Sequence, residues 1–293
     1  MNMIFPRARS GFVAAVPVLF VLLWGTGFIG AKYVNPYVEP LTFLAVRFAI
    51  AAAALTCLAI AMGAPWPATW REGGHIIVAG LLLHGIYLGG VFSAVAEGVS
   101  TGVAALIAGL QPLLTAGLVG RLLGEKVSAA GWAGLMIGLA GVGMVVWERM
   151  SVGGATGAGM SWAFVGLFGI TFGALYQKKF CAALDLRSGN AIQLAASAVL
   201  MAVAALAIET REILWTGEFV FGLIWLSLML SIAAISLLYY MLRIGQASRV
   251  TSIFYLTPAV TSVMGFMMFG ESLGALAISG IILAGAGVAL INR

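Results

Sequence analysis

The residues that could carry chemistry in this chain are polar side chains near the middle of long apolar segments. His84 and Tyr87 are three residues apart, a spacing that places both on one face of an α-helix. An ionisable side chain deep in an apolar segment is a functional candidate, because hydrocarbon does not solvate its charge. The pair could bind a small solute or relay a proton. A neutral histidine hydrogen-bonded to a neighbouring helix would fit the same pattern.

Other polar and aromatic side chains occupy similar central positions. Gln111 precedes Pro112 and Thr257 precedes Pro258, so each neutral group lies beside a predicted kink. Both suit hydrogen bonding to an uncharged or zwitterionic solute, or to another helix. Trp24 offers an apolar face that could line a cavity or simply pack. The predicted substrate-binding residues are Trp24, His84, Tyr87, Gln111, Thr171, Ser231 and Thr257.

Two basic side chains lie toward one end of their apolar segments. Lys32 and Arg47 could attract a carboxylate, reach the interface, or pair with Glu39. Arg47 is the deeper of the two, and we predict that it is a gating or structural ion-pair residue. Tyr239 and Tyr240 lie near the end of a later segment, where an interfacial aromatic belt is the expected position.

The segments that hold these residues are those of a membrane protein. Apolar residues make up 62% and charged residues 9% of the 293 residues, against about 45–50% and about 25% in soluble domains. A membrane-spanning helix needs about 20 apolar residues. We predict an all-α polytopic protein with ten such helices: Phe12–Val34, Leu41–Met62, His75–Ala96, Ser100–Gly120, Ala129–Trp147, Ser161–Cys181, Asn190–Ile208, Phe219–Leu242, Arg249–Phe269 and Leu273–Ile291.

The basic residues predict the orientation in the membrane. With a cytoplasmic N-terminus, outer loops carry only Arg149 and Arg211, which is a strong positive-inside bias. Both termini are therefore predicted in the cytoplasm, and the net charge of +5 reflects topology rather than a nucleic-acid partner. Arg7 and Arg9 resemble the start of a signal peptide, but the apolar run continues to Val34 and predicts a retained first helix.

Motifs for metal, nucleotide or disulfide chemistry are missing from the sequence. Cys57 and Cys181 lie in apolar segments without metal-ligand spacing, and no Gly-x4-Gly-Lys-Ser/Thr loop occurs. We expect neither a metal nor a cofactor, so ATP does not drive the protein. No Asp or Glu lies centrally in a predicted helix, which argues against an intramembrane enzyme.

The chain repeats itself at an offset of about 146 residues, which defines two halves, 1–147 and 148–293. The residues in register are Gln111 with Thr257, Pro112 with Pro258, Gly124 with Gly270, and Glu125 with Glu271. Each half holds five predicted helices, and an odd number makes the second half enter the membrane from the opposite side. The sequence thus predicts inverted repeats, with Glu125 and Glu271 at opposite faces as helix caps.

Small residues and prolines recur at matching positions of the two halves. Pro112 and Pro258 each remove a backbone donor, which predicts kinks that shape or move around a central cavity. The fifth and tenth helices carry small residues along one face, a pattern that favours close helix packing. Whether this seam joins two halves or two copies stays open. Its residues are Gly131, Gly134, Gly138, Gly141, Ala277, Gly280, Ala284 and Gly287.

Several motifs resemble a known family. Pro40-Leu41-Thr42 leading to Arg47-Phe48, Trp24-Gly25 with Lys32 in the first helix, and the two proline segments followed by Gly-Glu are similar to the EamA type of the drug/metabolite transporter superfamily. Within it the chain is most similar to YddG-type amino-acid exporters. The resemblance implies ten-helix exporters of small metabolites, including amino acids. One departure is that Arg47 corresponds to Gln193, so the second half lacks the arginine.

We therefore predict a secondary transporter in the bacterial inner membrane that exports neutral or aromatic amino acids by alternating access through a central cavity. His84 is a candidate for proton coupling. The alternative within the superfamily is a sugar-phosphate or nucleotide-sugar exchanger, which would need paired deep cations. The expected partners are a small-molecule substrate and the lipid bilayer. The sequence leaves open the cargo, the coupling ion and the oligomeric state.

Overall fold

The computed structural model describes residues 10–99, 101–149, 157–269 and 274–291, and these residues form an all-helical bundle. The helices are α1 (Ser10–Val34), α2 (Pro40–Ala61), α3 (Trp70–Ala96), α4 (Thr101–Ala108 and Gln111–Leu123), α5 (Ala129–Arg149), α6 (Gly157–Phe180), α7 (Leu186–Ile208), α8 (Gly217–Ile244), α9 (Ala247–Ser252, Ile253–Leu256 and Thr257–Phe269) and α10 (Ala275–Ile291). Among them α2, α3, α6, α7 and α8 have the length and hydropathy of full membrane spans, and α1, α5 and α10 have shorter apolar cores. The predicted ten-helix membrane fold is confirmed.

The repeat-related helices α2 and α7 pack against each other in opposite directions. Glu209 follows the last residue of α7, and its carboxylate accepts hydrogen bonds from the amides of Leu41 at 2.8 Å and Thr42 at 2.7 Å, at the start of α2. A negative charge stabilises the exposed amides of a helix N-terminus. Because α7 ends where α2 begins, the two halves run in opposite directions, as inverted repeats do.

The same end of the bundle holds a second contact between the halves. The α1–α2 and α7–α8 connections meet there in an isolated antiparallel bridge between Val38 and Ile213. The amide of Leu214 donates to the carbonyl of Tyr37 at 2.9 Å. We call this end the Glu209 end. These backbone contacts join the two halves there.

Glu39 adds a charged contact at the Glu209 end. Its carboxylate accepts from the Thr210 hydroxyl at 2.6 Å, the Thr210 amide at 2.7 Å and the Arg211 amide at 3.1 Å. The Thr210 hydroxyl, followed by the two amides and the Arg211 charge, lowers the pKa of the Glu39 carboxyl below its ordinary value of 4.5. Folding therefore favours the charged form of the Glu39 carboxyl.

This lowered pKa predicts a pH-dependent contribution to stability. A carboxyl whose pKa is lower in the folded state stabilises the protein fully above its unfolded pKa, and the benefit disappears as pH falls through the folded value. We expect Glu39→Gln to lower the melting temperature at pH 7, modestly because the group is solvent-accessible. The difference from the wild type should become smaller as the pH falls below the ordinary pKa of 4.5. A difference of the same size at pH 7 and pH 3.5 would contradict this account.

At the opposite end of the bundle, which we call the Lys178 end, the side chain of Lys178 joins neighbouring segments. Lys178 pairs with Glu125 at 3.3 Å and donates to the carbonyls of Leu242, at 3.2 Å, and Gly245. Glu125 also accepts from the amide of Ala247 at 3.0 Å. The expectation that Glu125 caps its own helix α5 is wrong, because its carboxylate lies at the start of α9. Glu271, its repeat counterpart, lies outside the described residues.

Departures from α-helical geometry occur at related positions in both repeats. Helix α3 contains a π-helical segment, Leu81–Ile86, and α8 contains another, Leu226–Ala234. Adding 146 to 81–86 gives 227–232, which lies within the second segment. The predicted continuous fourth helix is interrupted at Gly109 and Leu110, and α9 narrows to a 3-10 turn at Ile253–Leu256.

The two prolines follow these interruptions. Pro112 and Pro258 are each the second residue of the helical segment that comes next. An amide at that position has no partner inside the segment, so the missing proline donor costs little there. The interruption, rather than a bend inside an intact helix, is what accompanies each proline.

Helices α5 and α10 form a seam between the halves through their small residues. A Cβ added at Gly287 would lie 2.5 Å from the amide nitrogen of Gly138 and 2.6 Å from the carbonyl oxygen of Gly134. A Cβ added at Gly141 would lie equally close to the backbone of Ala284. The helices therefore approach backbone to backbone, within one chain. Gly131 lies against its own helix start instead, at Val127 and Ser128; the side chain of Ala277 lies outside the description.

Candidate functional site

A small central cavity lies where α1, α2, α3 and α8 meet, near the middle of the bundle. Its volume is about 30 Å³, which is room for no more than about two water molecules. Both halves contribute to its wall, α1 to α3 from the first and α8 from the second. The polar and aromatic lining includes Trp24, Arg47, His84, Tyr87, Phe92 and Ser231.

Arg47 reaches the cavity with an incompletely bonded guanidinium. The side chain is 1% exposed, and its Nε donates to the Ser231 hydroxyl at 3.0 Å. Its Nη1 has no hydrogen-bond partner. The guanidinium carbon lies 5.8 Å and 5.9 Å from the ring centres of Phe48 and Phe92, within range of cation–π attraction. In the part of the chain that the structure describes, no carboxylate pairs with it.

The predicted ion-pair partner of Arg47 is engaged elsewhere. Glu39 accepts its hydrogen bonds from Thr210 and Arg211 at the Glu209 end. The ion-pair interpretation of Arg47 with Glu39 is therefore wrong. The physical reason is the reach of the side chain, which extends from its backbone toward the middle of the bundle rather than toward the end. The side chain of Lys32 lies outside the description.

His84 belongs to a hydrogen-bonded chain that starts at the cavity. Its Nε2 lies 3.1 Å from the Tyr239 hydroxyl, which donates in turn to the side-chain oxygen of Gln193. Gln193 donates onward to Gln177 at 2.8 Å. The other ring nitrogen of His84, Nδ1, is buried and has no hydrogen-bond partner.

The position of Tyr239 differs from the expectation. It was predicted to lie in the interfacial belt, and it is instead 2% exposed. Its hydroxyl finds partners on α3 and α7, which is what a buried phenol requires. Tyr239 is thus part of the polar core behind the cavity. Its neighbour Tyr240 is half-buried.

A group of stacked aromatic rings borders the cavity on the side of the Glu209 end. The rings of Phe43 and Phe92 stack with centres 5.6 Å apart, and Phe219 meets Phe43 edge-on at 6.3 Å. All three rings are buried. They come from α2, α3 and α8, so this group spans both halves.

A second group of aromatic rings borders the cavity on the side of α9. Trp24 stacks on Tyr87 with ring centres 6.0 Å apart and meets Phe254 edge-on at 5.2 Å. Phe254 belongs to the 3-10 turn of α9. Aromatic rings thus border a cavity of about 30 Å³, and an amino acid would need it to enlarge.

The structure brings four of the predicted binding residues to one cavity, namely Trp24, His84, Tyr87 and Ser231. Thr257 lines a separate pocket of about 10 Å³ on the other side of the Trp24 and Tyr87 rings. Thr171 donates to the carbonyl of Leu167 in its own helix, away from the cavity. Gln111 is fully buried without a hydrogen-bond partner and lines neither pocket.

A row of polar residues on α7 was missed by sequence reasoning. Asn190, Gln193 and Ser197 are all buried. Asn190 donates to the carbonyl of Ser231 at 3.2 Å, and Ser197 donates to the carbonyl of Gly80 at 3.0 Å. Their spacing of three and four residues is a polar stripe in an otherwise apolar helix, and that pattern was the available signal.

Comparison with known proteins gives matches over the whole chain. A model of the EamA-like transporter family matches residues 11–147 and again 157–293. The chain is 29% identical to the uncharacterized inner membrane transporter YedA of Escherichia coli K12, over 86% of this chain and 81% of that one. It is 24% identical to the uncharacterized transporter YvbV of Bacillus subtilis 168, over 98% and 92%. A crystal structure with 22% sequence identity has a TM-score of 0.77 over 94% of each chain, which supports the fold alone.

Proposed function

The chain belongs to the EamA-like transporter family, and from this membership we propose that it exports neutral or aromatic amino acids and related metabolites by alternating access. It is a multi-pass transporter of the inner membrane. We further propose that both termini are cytoplasmic, as the basic residues predict. The Glu209 end then faces outward and the Lys178 end faces the cytoplasm.

The observation that carries this proposal is the central cavity between the inverted repeats. Substrate sites of such transporters lie where the repeats meet, near the membrane midplane. Here that place holds an aromatic pair, Trp24 and Tyr87, beside the polar groups of His84, Arg47 and Ser231. Aromatic faces with a few fixed polar groups suit a small solute that has one apolar and one polar part.

Alternating access would open the two closed ends in turn. The Glu209 end is held by Glu209 and the Val38–Ile213 bridge, and the Lys178 end by Lys178 and Glu125. Opening either end would enlarge the cavity toward that side. We propose that the interruptions before Pro112 and Pro258, together with the π-helical segments, are where the helices bend.

The alternative function, sugar-phosphate or nucleotide-sugar exchange, has less support. A phosphate would call for several cations at one site. Within the described residues, Arg47 is the sole Lys or Arg side chain that lines the central cavity. We also propose transport without catalysis, since those lining residues include no acid pair for an intramembrane reaction.

Counterflow in proteoliposomes tests the proposal. Vesicles loaded with unlabelled phenylalanine, leucine or alanine should accumulate the same labelled amino acid transiently and saturably, and protein-free vesicles should not. Glucose 6-phosphate in the outer medium should leave the signal unchanged. Silence for every amino acid would refute the proposed cargo, and inhibition by the sugar phosphate would favour the alternative.

His84→Gln separates solute binding from proton coupling. We expect counterflow of phenylalanine to need about fivefold more substrate, the equivalent of one neutral hydrogen bond of about 1 kcal/mol. We expect its pH dependence to stay that of the wild type. A protonated His84 would add a second positive charge at the cavity that Arg47 lines, where no described lining residue is acidic. A wild-type pH dependence that disappears in the variant would restore the proton-coupling hypothesis.

A further inference from the structure

The central cavity contains an unbalanced charge. Of its described lining residues, Arg47 is positively charged and none is an Asp or Glu. A charge taken into a buried site costs several kcal/mol unless a partner compensates it. The Nη1 atom of Arg47 is buried and has no partner at all. The site is therefore electrostatically incomplete without an added anion.

The guanidinium is held in place for such a partner. Ser231 accepts from Nε, and Ser231 itself is fixed because its hydroxyl lies 3.3 Å from the Leu226 carbonyl and its own carbonyl accepts from Asn190. The rings of Phe48 and Phe92 lie near the guanidinium. A planar guanidinium with fixed orientation matches the two oxygens of a carboxylate.

The anion site is asymmetric, because the two halves carry different residues at the position of Arg47. The residue of the second half that corresponds to Arg47 is the uncharged Gln193. Its amide is already occupied, since it donates to Gln177 and accepts from Tyr239. Gln193 is thus satisfied by partners within the second half. Among the described residues that line the cavity, Arg47 alone offers a charged donor to a solute.

The remaining polar atoms favour hydrogen bonding over a second ion pair. His84 lines the same cavity, and its Nδ1 atom has no hydrogen-bond partner. A neutral imidazole nitrogen can accept one hydrogen from a solute ammonium group, but it does not balance that charge. The aromatic pair Trp24 and Tyr87 offers ring faces to an apolar side group.

We infer that the solute binds through its carboxylate to Arg47, an assignment that rests on the proposed function of the central cavity. The substrate class is then small monocarboxylates with an apolar or aromatic side group. Amino acids belong to this class, and so do their deaminated analogues. Amines that have lost the carboxylate do not, because they would bring a second positive charge beside Arg47.

Three probes that share a phenyl ring on a two-carbon chain test the inference on the wild-type protein. Phenylalanine has both charged groups, 3-phenylpropanoate has only the carboxylate, and phenethylamine has only the ammonium. We expect the first two to raise the melting temperature of the purified protein and to inhibit counterflow. Phenethylamine should need at least about 10-fold higher concentration for either effect, the equivalent of a charge-assisted hydrogen bond. Equal or stronger effects of phenethylamine would overturn the inference.

An Arg47 variant tests whether Arg47 causes the preference for the carboxylate. Arg47→Gln places at this position the residue found at its repeat counterpart, and it should weaken 3-phenylpropanoate binding by about 10- to 100-fold. Its effect on phenethylamine should be small or opposite. Arg71→Gln removes a positive charge from an exposed site and is the matched control. Unchanged preference for the carboxylate in a folded Arg47→Gln protein would overturn the assignment. Where that variant does not fold, the wild-type ranking decides.

The same measurements separate this inference from the proposed function. If no amino acid shows counterflow while 3-phenylpropanoate still binds through Arg47, amino-acid export fails and the carboxylate site stands. If counterflow of phenylalanine is robust and phenethylamine competes equally, the carboxylate site fails and export stands.

Discussion

Oxidation of a Val38→Cys/Ile213→Cys double variant is expected to stop transport. These residues form the antiparallel bridge that joins the two halves at the Glu209 end. Paired residues in an antiparallel bridge have Cα atoms about 4.5–5.5 Å apart, within the range that a disulfide spans. If this end must open in each cycle, a covalent link there should reduce counterflow to about the level of protein-free vesicles, and reduction should restore it.

The controls for this experiment come from the chain itself. Cys57 is exposed, so the double variant is best made with Cys57→Ser and Cys181→Ser to exclude other disulfides. Each single cysteine variant should transport with or without oxidant. Full transport by a protein shown to be completely cross-linked would refute opening at the Glu209 end.

Gly287→Leu is expected to abolish the folded protein. A side chain at this position would meet the backbone of α5 at Gly134 and Gly138. Neither backbone can move without separating α5 from α10, the seam that joins the two halves. The destabilisation should reach about 3 kcal/mol or more, as for strong overpacking. The measurement is the yield of monodisperse protein in size-exclusion chromatography after solubilisation.

A neighbouring glycine provides the matched control. A Cβ added at Gly285, two residues earlier in α10, meets nothing within 4 Å. Gly285→Leu makes the same change in composition and helix propensity, so it should be as well folded as the wild type. Comparable losses in both variants would mean that leucine is harmful anywhere in α10, and the seam would not explain the result.

Apolar length made the fold predictable, but it did not give the helix ends. Ten apolar segments were recognisable because each must cross the hydrocarbon. The predicted start of α3 at His75 is five residues late, since Thr69 accepts a hydrogen bond from the Glu72 amide and the helix begins at Trp70. Likewise α7 begins at Leu186, because Asp185 caps it. Such polar caps lie outside the hydrophobic pattern.

The site was only partly predictable, because depth in a helix does not say which neighbour a side chain meets. Depth alone identified His84 and Trp24 as central, and both line the cavity. The same criterion placed Arg47 and Tyr239 near the ends. Both are long side chains, and their polar atoms lie far from their own backbone, on partners supplied by α7 and α8. Only the packing of the two halves shows those partners.

The irregular helical segments were harder to predict from the sequence than the regular helices. The offset located both prolines, yet it gave no sign of the π-helical segments, whose sequences LLLHGI and LSLMLSIAA are ordinary apolar runs. A π-helical turn is rare and appears mostly as a bulge inside an α-helix. Because the π-helical segments occur at corresponding places in both halves, we attribute them to the packing that the two repeats share.

The π-helical segment of α3 also changes how this helix is mapped. An ordinary helical wheel advances 100° for each residue, the 3.6-residue turn. Within Leu81–Ile86 the turns are wider, so residues before and after it no longer share one angular frame. Helical wheels for α3 should therefore be drawn separately on either side of the segment, with their phases set independently. The same holds for α8 on either side of Leu226–Ala234.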